Sequence, residues 1–115
     1  DMKFTVQDST VRMVGKQIKV TDLFADPQAS FDFVIIELDG FHRSVINHVS
    51  EQAYFVLSGT GIIQVGPIAY DVKEEDFIFV PKSVPHGLKG KMRYVVLSSP
   101  PFSLHDETPD HSFDQ

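Results

Sequence analysis

The chain has 115 residues, ten phenylalanines, no cysteine and a formal net charge of −6. This length suits one domain with an aromatic core, and the acidic balance excludes nucleic acid and anionic membranes as main partners, because both require a basic surface. Without cysteine there are no disulfides, thiolate nucleophiles or Cys-ligated zinc. No apolar run approaches the ~20 residues that span a bilayer, so we expect a cytoplasmic protein with a small-molecule ligand.

Short segments rich in β-branched and aromatic residues follow one another along the chain. They cover 4–6, 18–20, 31–38, 42–48, 53–57, 62–65, 68–72, 77–80 and 92–97. Turn signals separate them, among them Asp39-Gly40 and the run 58–61. The spacing predicts an all-β sandwich or barrel. We expect residues 1–102 to form this domain and the acidic stretch 103–115 to form a flexible C-terminal tail.

Segment 53–57 reads Ala-Tyr-Phe-Val-Leu and is apolar on both faces. A strand with this pattern is expected to be covered on both sides, whereas a single small barrel covers only one. We therefore expect the outer face to pack on a second subunit in an isologous homodimer. The alternative is cover by the chain's own N-terminal strand.

Two segments carry motif spacing. Segment 40–59 reads Gly, five residues, Ile46, one residue, His48, three residues, Gln52, six residues, Gly. This is the spacing of the first cupin motif, with Ile46 where a first histidine is expected. In segment 75–90, Pro81 and His86 match the second cupin motif, while its two glycines and its asparagine are replaced. The chain thus resembles small single-domain cupins, which implies a double-stranded β-helix, or jelly-roll, barrel.

The resemblance also implies a site inside that barrel. Residues two apart on a strand share a face, so Ile46 lies with His48 and Gln52 lies with Tyr54. The implied metal ligands are His48, Gln52 and His86. The implied catalytic residues are His48, His86 and Tyr54. The expected pocket lining is Ile46, Phe79 and Tyr94. His42 is excluded as a replacement ligand, because six residues at about 3.3 Å each place it roughly 20 Å from His48.

Two imidazoles and an amide, with water in the remaining positions, suit a divalent transition metal such as Zn, Ni, Fe or Mn. The alternative is a metal-free cluster in which the same three side chains are hydrogen-bonded around a ligand.

Three functions follow from these alternatives. The first is an enzyme in which a bound metal acts as a Lewis acid on a small carbohydrate or oxo acid, in isomerase-, epimerase- or lyase-like chemistry. The second is a non-enzymatic module that binds or senses a sugar-like molecule without metal. The third is a degenerate barrel kept for its interaction surface, which side chains such as Ile46 and Phe79 filling the pocket would favour.

Overall fold

The computed structural model describes residues 1–111 and is built from antiparallel strands. The eight strands are β1 (Thr10–Val14), β2 (Ile18–Phe24), β3 (Asp32–Asn47), β4 (Glu51–Val65), β5 (Ile68–Lys73), β6 (Phe77–Val80), β7 (His86–Ser99) and β8 (Glu107–Pro109). Two 3₁₀ helices span Val6–Asp8 and Leu104–Asp106. The prediction of an all-β barrel is confirmed. Within this described range no helix is long and apolar enough to cross a bilayer.

The strands form two half-sheets that share the three long strands. The sheet order is β1-β2-β3-β7-β4-β5, with β6 also paired to β4 and β8 also paired to β3. One half contains β1, β2, β6 and one end of each long strand, and the other contains β5, β8 and the remaining ends. A single hydrophobic cluster joins side chains of both halves. This is the jelly-roll arrangement, and its interior is where the half-sheets face each other.

The long strands bend where glycines lie side by side. Gly40, Gly90 and Gly61 occupy paired positions on β3, β7 and β4. Gly90 has a φ of +136°, and a Cβ there would lie 2.5 Å from the Cα of Gly61. Only residues without side chains allow the backbones to approach this closely. Gly40, Gly59 and Gly61 therefore lie within continuous, bent strands, whereas the sequence predicted turns at these positions.

The segment after residue 102 differs from the expected flexible tail. Residues 104–109 form a 3₁₀ turn and then β8, which pairs with β3 through Asn47↔Glu107 and two further positions. Phe102 is also tied to the barrel, because its N–H donates to Asp32 Oδ2 at 2.9 Å. Residues 112–115, the rest of the expected tail, lie outside the described residues. The domain therefore extends beyond the expected boundary at residue 102.

Candidate functional site

A β-bulge in β3 decides which side chains face the interior. His42 lies opposite Leu88 of β7, and the next paired residues are Val45 and His86. Between these two pairs β3 advances by three residues and β7 by only two, so β3 contains one extra residue. An extra residue moves every following side chain to the other face of the sheet. Before the bulge, His42 shares the interior face of Leu88, and after it the interior positions are Val45 and Asn47.

The same bulge turns Ile46 and His48 away from the interior, which corrects the predicted placement of both. His48 is exposed, and its Nε2 lies 2.7 Å from Thr108 Oγ1 on β8. Ile46 is half-buried and also lies opposite Thr108. The predicted trio of His48, Gln52 and His86 is therefore not brought together, since only the latter two face inward.

Aromatic rings line the interior between the half-sheets. Tyr54 and Tyr94 stack with ring centroids 5.7 Å apart, and Tyr54 meets His86 edge-on at 6.1 Å. All three side chains are buried. Burial raises the pKa of the Tyr54 hydroxyl well above its usual value, and the charges of Tyr94 and Glu107 raise it further. Tyr54 therefore stays a protonated phenol and can donate a hydrogen bond at neutral pH.

Two histidines face this interior as neutral bases. Burial is the main cause that lowers the pKa of both His42 and His86, and a positive charge on His42 disfavours one on His86. His42 Nδ1 lies 2.8 Å from the carbonyl oxygen of Arg43, and His86 Nδ1 lies 3.1 Å from that of Val84. A carbonyl accepts, so we assign the proton of each ring to Nδ1. Nε2 of each ring then carries the lone pair that can accept a proton.

Three buried polar atoms on inward-facing side chains have no hydrogen-bond partner within residues 1–111. They are Asn47 Nδ2, Gln52 Oε1 and the Tyr94 hydroxyl, in residues that are 2%, 5% and 0% exposed. Asn47 Oδ1 and Gln52 Nε2 are already used, by the N–H groups of Val49 and Ser50 and by Ser98 Oγ respectively. Buried polar groups are nearly always hydrogen-bonded. One donor, one acceptor and one hydroxyl are thus available to a polar guest.

Glu107 is the acidic member of this site, and it arrives on β8. Its partner Asn47 faces the interior, so the Glu107 side chain shares that face. Desolvation by burial raises its pKa to about 7, and the charge of Arg43 partly opposes this rise. The sequence reasoning missed Glu107 because no periodic pattern marks a three-residue strand in an acidic segment.

The comparisons with known proteins agree with this architecture. A family model described as a cupin domain matches residues 33–98, more than half of the chain. The chain belongs to the cupin family. The uncharacterized protein MJ1618 of Methanocaldococcus jannaschii is 29% identical over 66 residues, which are 54% of this chain and 52% of that protein. This cupin therefore spans about half the length of the curated relative it matches.

Among solved structures, this cupin is similar to Streptomyces Pac13, which is described as a unique nucleoside dehydratase. A Pac13 variant with histidine replaced by glutamine, solved with uridine, is 26% identical, with a TM-score of 0.85 and coverage of 96% of this chain and 92% of that one. KdgF from Halomonas has a TM-score of 0.77 at 17% identity, with coverage of 84% and 93%. At that identity KdgF shows the shared fold alone.

The other predicted pocket residues divide between the two faces of this cupin barrel. Tyr94 lies inside, as expected from the sequence, whereas Phe79 lies outside. Phe79 pairs with Ala53, and the inward positions of β6 are Ile78 and Val80, which pack on the core. Neither Phe79 nor Ile46 therefore fills the interior.

The inward-facing donors do not fit a metal centre of the kind that the resemblance implies. Within residues 1–111 no group of three or more His, Asp or Glu side chains could hold a metal ion. The bulge removes His48 from the expected set, and Gln52 Nε2 already donates to Ser98 Oγ at 3.1 Å. The chemistry that this cupin's own residues support is proton transfer by imidazole, phenol and carboxyl groups.

A large concavity lies elsewhere, on the outer side of the glycine bend. It measures about 1070 Å³ and is open to solvent, and Gly40, Gly61, Lys73, Asp76, Lys89 and Lys91 are among its lining residues. None of the interior residues described above lines it. Its lysines and aspartates offset one another in charge, so the inward-facing polar groups remain the better candidate for chemistry.

Proposed function

We propose that this cupin binds a small sugar-bearing molecule, such as a nucleoside, in the barrel interior and catalyses its dehydration. The unpartnered polar atoms of Asn47, Gln52 and Tyr94 carry this proposal, because a polar molecule that enters the interior would complete their hydrogen bonds. The aromatic rings beside them suit the face of a sugar or a base. The similarity to Pac13 supports the nucleoside and the dehydratase reaction.

Dehydration needs a base and an acid on either side of one substrate bond. A neutral histidine Nε2 of His42 or His86 removes a proton from carbon next to a carbonyl group, and the C–H electron pair forms a C=C bond. The C–O bond to the neighbouring hydroxyl breaks, and that hydroxyl leaves as water after taking a proton from the site. Tyr54 donates a hydrogen bond to the carbonyl oxygen as negative charge develops there.

The proposal is tested with uridine as the binding probe and, as substrates, with a panel of sugars and nucleoside aldehydes that carry a carbonyl group next to a C–H bond. Tyr94→Phe deletes one unpartnered hydroxyl, and we expect it to weaken uridine binding by about tenfold. Tyr70→Phe removes the hydroxyl of an exposed tyrosine and should leave binding unchanged. Unchanged binding in Tyr94→Phe, measured by calorimetry, would contradict the proposed pocket.

Turnover is measured by mass spectrometry as loss of one water from the substrate. We expect His86→Gln to lower the rate by at least about 100-fold, and the exposed His111→Gln to leave it unchanged. A chelator should affect neither binding nor rate, because the inward donors do not form a metal-holding group. A chelator-sensitive rate restored by zinc would instead favour the metal-dependent enzyme expected from the resemblance.

A second function, binding or sensing without reaction, rests on the same unpartnered atoms. Tight uridine binding with no product from any member of the panel would favour it.

The cytoplasmic location expected from the sequence stays a prediction.

We further propose that two copies associate through the outer faces of β4 and β6. Phe55 and Phe77 lie opposite each other there, and Phe79 follows two residues later. Phe77 is 60% exposed, although these side chains are large and apolar. The exposed row ends at β4, because Val95 on β7 and Ile35 on β3 are only 9% and 7% exposed and are already covered within the chain.

A further inference from the structure

Residues 104–110, here called the strap, lie along the end of β3. The N–H of His48 donates to the carbonyl oxygen of Asp106, and the N–H of Asp110 donates to that of Ser44, both at 2.9 Å. Side chains add two contacts: His48 Nε2 with Thr108 Oγ1 at 2.7 Å, and Ser44 Oγ with Asp110 Oδ2 at 3.0 Å. The strap is therefore attached at Ser44, within the bulge of β3, and at His48, the residue that follows β3.

This attachment sets where Glu107 points. Glu107 lies between the two attachment points and opposite Asn47, on the face that Val45 shares with His86. Its charge acts on the hydroxyl of Tyr54, which lies on the opposite half-sheet. The carboxyl group is thus the one acidic side chain that the strap presents to the ring-lined interior.

We propose that Glu107 is a catalytic residue of the interior site and that the strap must be docked on β3 for the site to work. This proposal rests on the dehydration proposed above and identifies the group that protonates the departing hydroxyl. In its protonated form, Glu107 gives its proton to the departing hydroxyl, which leaves as water. A histidine Nε2 takes the carbon-bound proton, and the proton then returns from imidazolium to carboxylate, so the site is restored.

The environment of Glu107 suits this exchange. Burial raises its pKa to about 7, so both protonation states are populated at neutral pH. The charged or titratable groups that act on it are Arg43 from β3, which favours the carboxylate, and Tyr54 from β4. The phenol is neutral at this pH, because burial raises its pKa. A partly buried carboxyl keeps its proton more readily than an exposed one.

The first test observes the carboxyl group itself, in the free full-length chain. NMR of isotope-labelled glutamate carboxyls should show one group that titrates near pH 7, absent in Glu107→Gln and present in the exposed control Glu74→Gln. Thr108→Val removes the oxygen that meets His48 while keeping the shape of the side chain, and it should move this titration toward the ordinary range. A Glu107 carboxyl that titrates near 4.5 in the unmodified chain would overturn the proposal.

The second test separates chemistry from binding. Glu107→Gln should lower the rate of water loss by about 100-fold or more while changing uridine affinity by less than about tenfold. A wild-type rate in this variant would overturn the catalytic role even if uridine binds. If the unmodified chain binds no uridine, the proposed ligand class fails, and the carboxyl titration still decides whether the strap delivers an interior acid.

Discussion

The carboxyl group of Glu107 links the stability of the fold to pH. Its pKa is raised from the ordinary 4.5 to about 7 in the folded chain, so the folded state binds the proton more tightly than the unfolded state does. The stabilisation from this proton is complete below pH 4.5 and is lost as pH rises toward 7. His42 and His86 act in the opposite sense, because their lowered pKa values make stability fall as pH drops below about 6.5.

We therefore predict that Glu107→Gln raises the free energy of unfolding above that of the unmodified chain, and that this gain is larger at pH 8 than at pH 4.5. A pKa shift corresponds to about 1.4 kcal/mol of stability per pH unit. Solvent screening reduces this value, because the Glu107 side chain is only partly buried. We therefore expect the free energy of unfolding to rise by about 1–2 kcal/mol at pH 8. Urea unfolding at both values of pH measures the difference. An equal effect of the substitution at pH 4.5 and 8 would contradict the linkage.

At single positions, the sequence correctly predicted which side chains face the interior only where side chains alternate between the two faces of a strand without a bulge. Gln52, Tyr54, His86 and Tyr94 face the interior as expected. The alternation counted from Ile46 to His48 is also correct, but the bulge before it reverses which face is inside. His42 was excluded for its distance from His48, whereas its relevant neighbour is His86, on a strand far away in the chain. Pairing between distant strands decides such positions, and local pattern does not contain it.

Among the elements, the three long strands depend on close backbone approach at the glycine bend. We predict that Gly90→Ala destabilises the fold by about 3 kcal/mol or more, because the added Cβ would lie 2.5 Å from Gly61 Cα and 2.6 Å from the Thr60 carbonyl oxygen. Gly15→Ala is the matched control. Its φ of +66° is also positive, yet a Cβ there meets no atom within 4 Å, so about 1–2 kcal/mol is expected. Thermal unfolding compares them, and similar losses would refute the role of close approach.

The order and type of these elements were largely predictable, but their lengths were not. Segments 31–38 and 42–48 were expected as two strands around a turn at Asp39-Gly40, and they form one strand, β3. Segments 53–57 and 62–65 likewise join as β4. Glycine next to a polar residue is typical of a turn, and the same residues also permit a bend where strands cross closely. Only the neighbouring glycines on other strands distinguish the two cases.

For the whole molecule, the exposed aromatic row predicts how the protein assembles. We expect Phe77→Glu to convert the dimer to a monomer at micromolar concentration, because a charge would be buried in the proposed interface. Ile68→Glu, at an exposed position on β5, should leave the dimer intact. Analytical ultracentrifugation measures both. A monomeric unmodified chain would contradict the association, and the interior site would be unaffected, since its residues all come from one chain.

The strap follows β7 in the chain, and this order has a consequence for how the protein is made and how it diverges. During synthesis the strands β1 to β7 are all made before Glu107 is added, so the acid is the last part of the site to be supplied. Evolution can likewise exchange the residues of this short segment while leaving the core cluster untouched. Two proteins with the same barrel and different straps would then hold similar molecules and transform them differently.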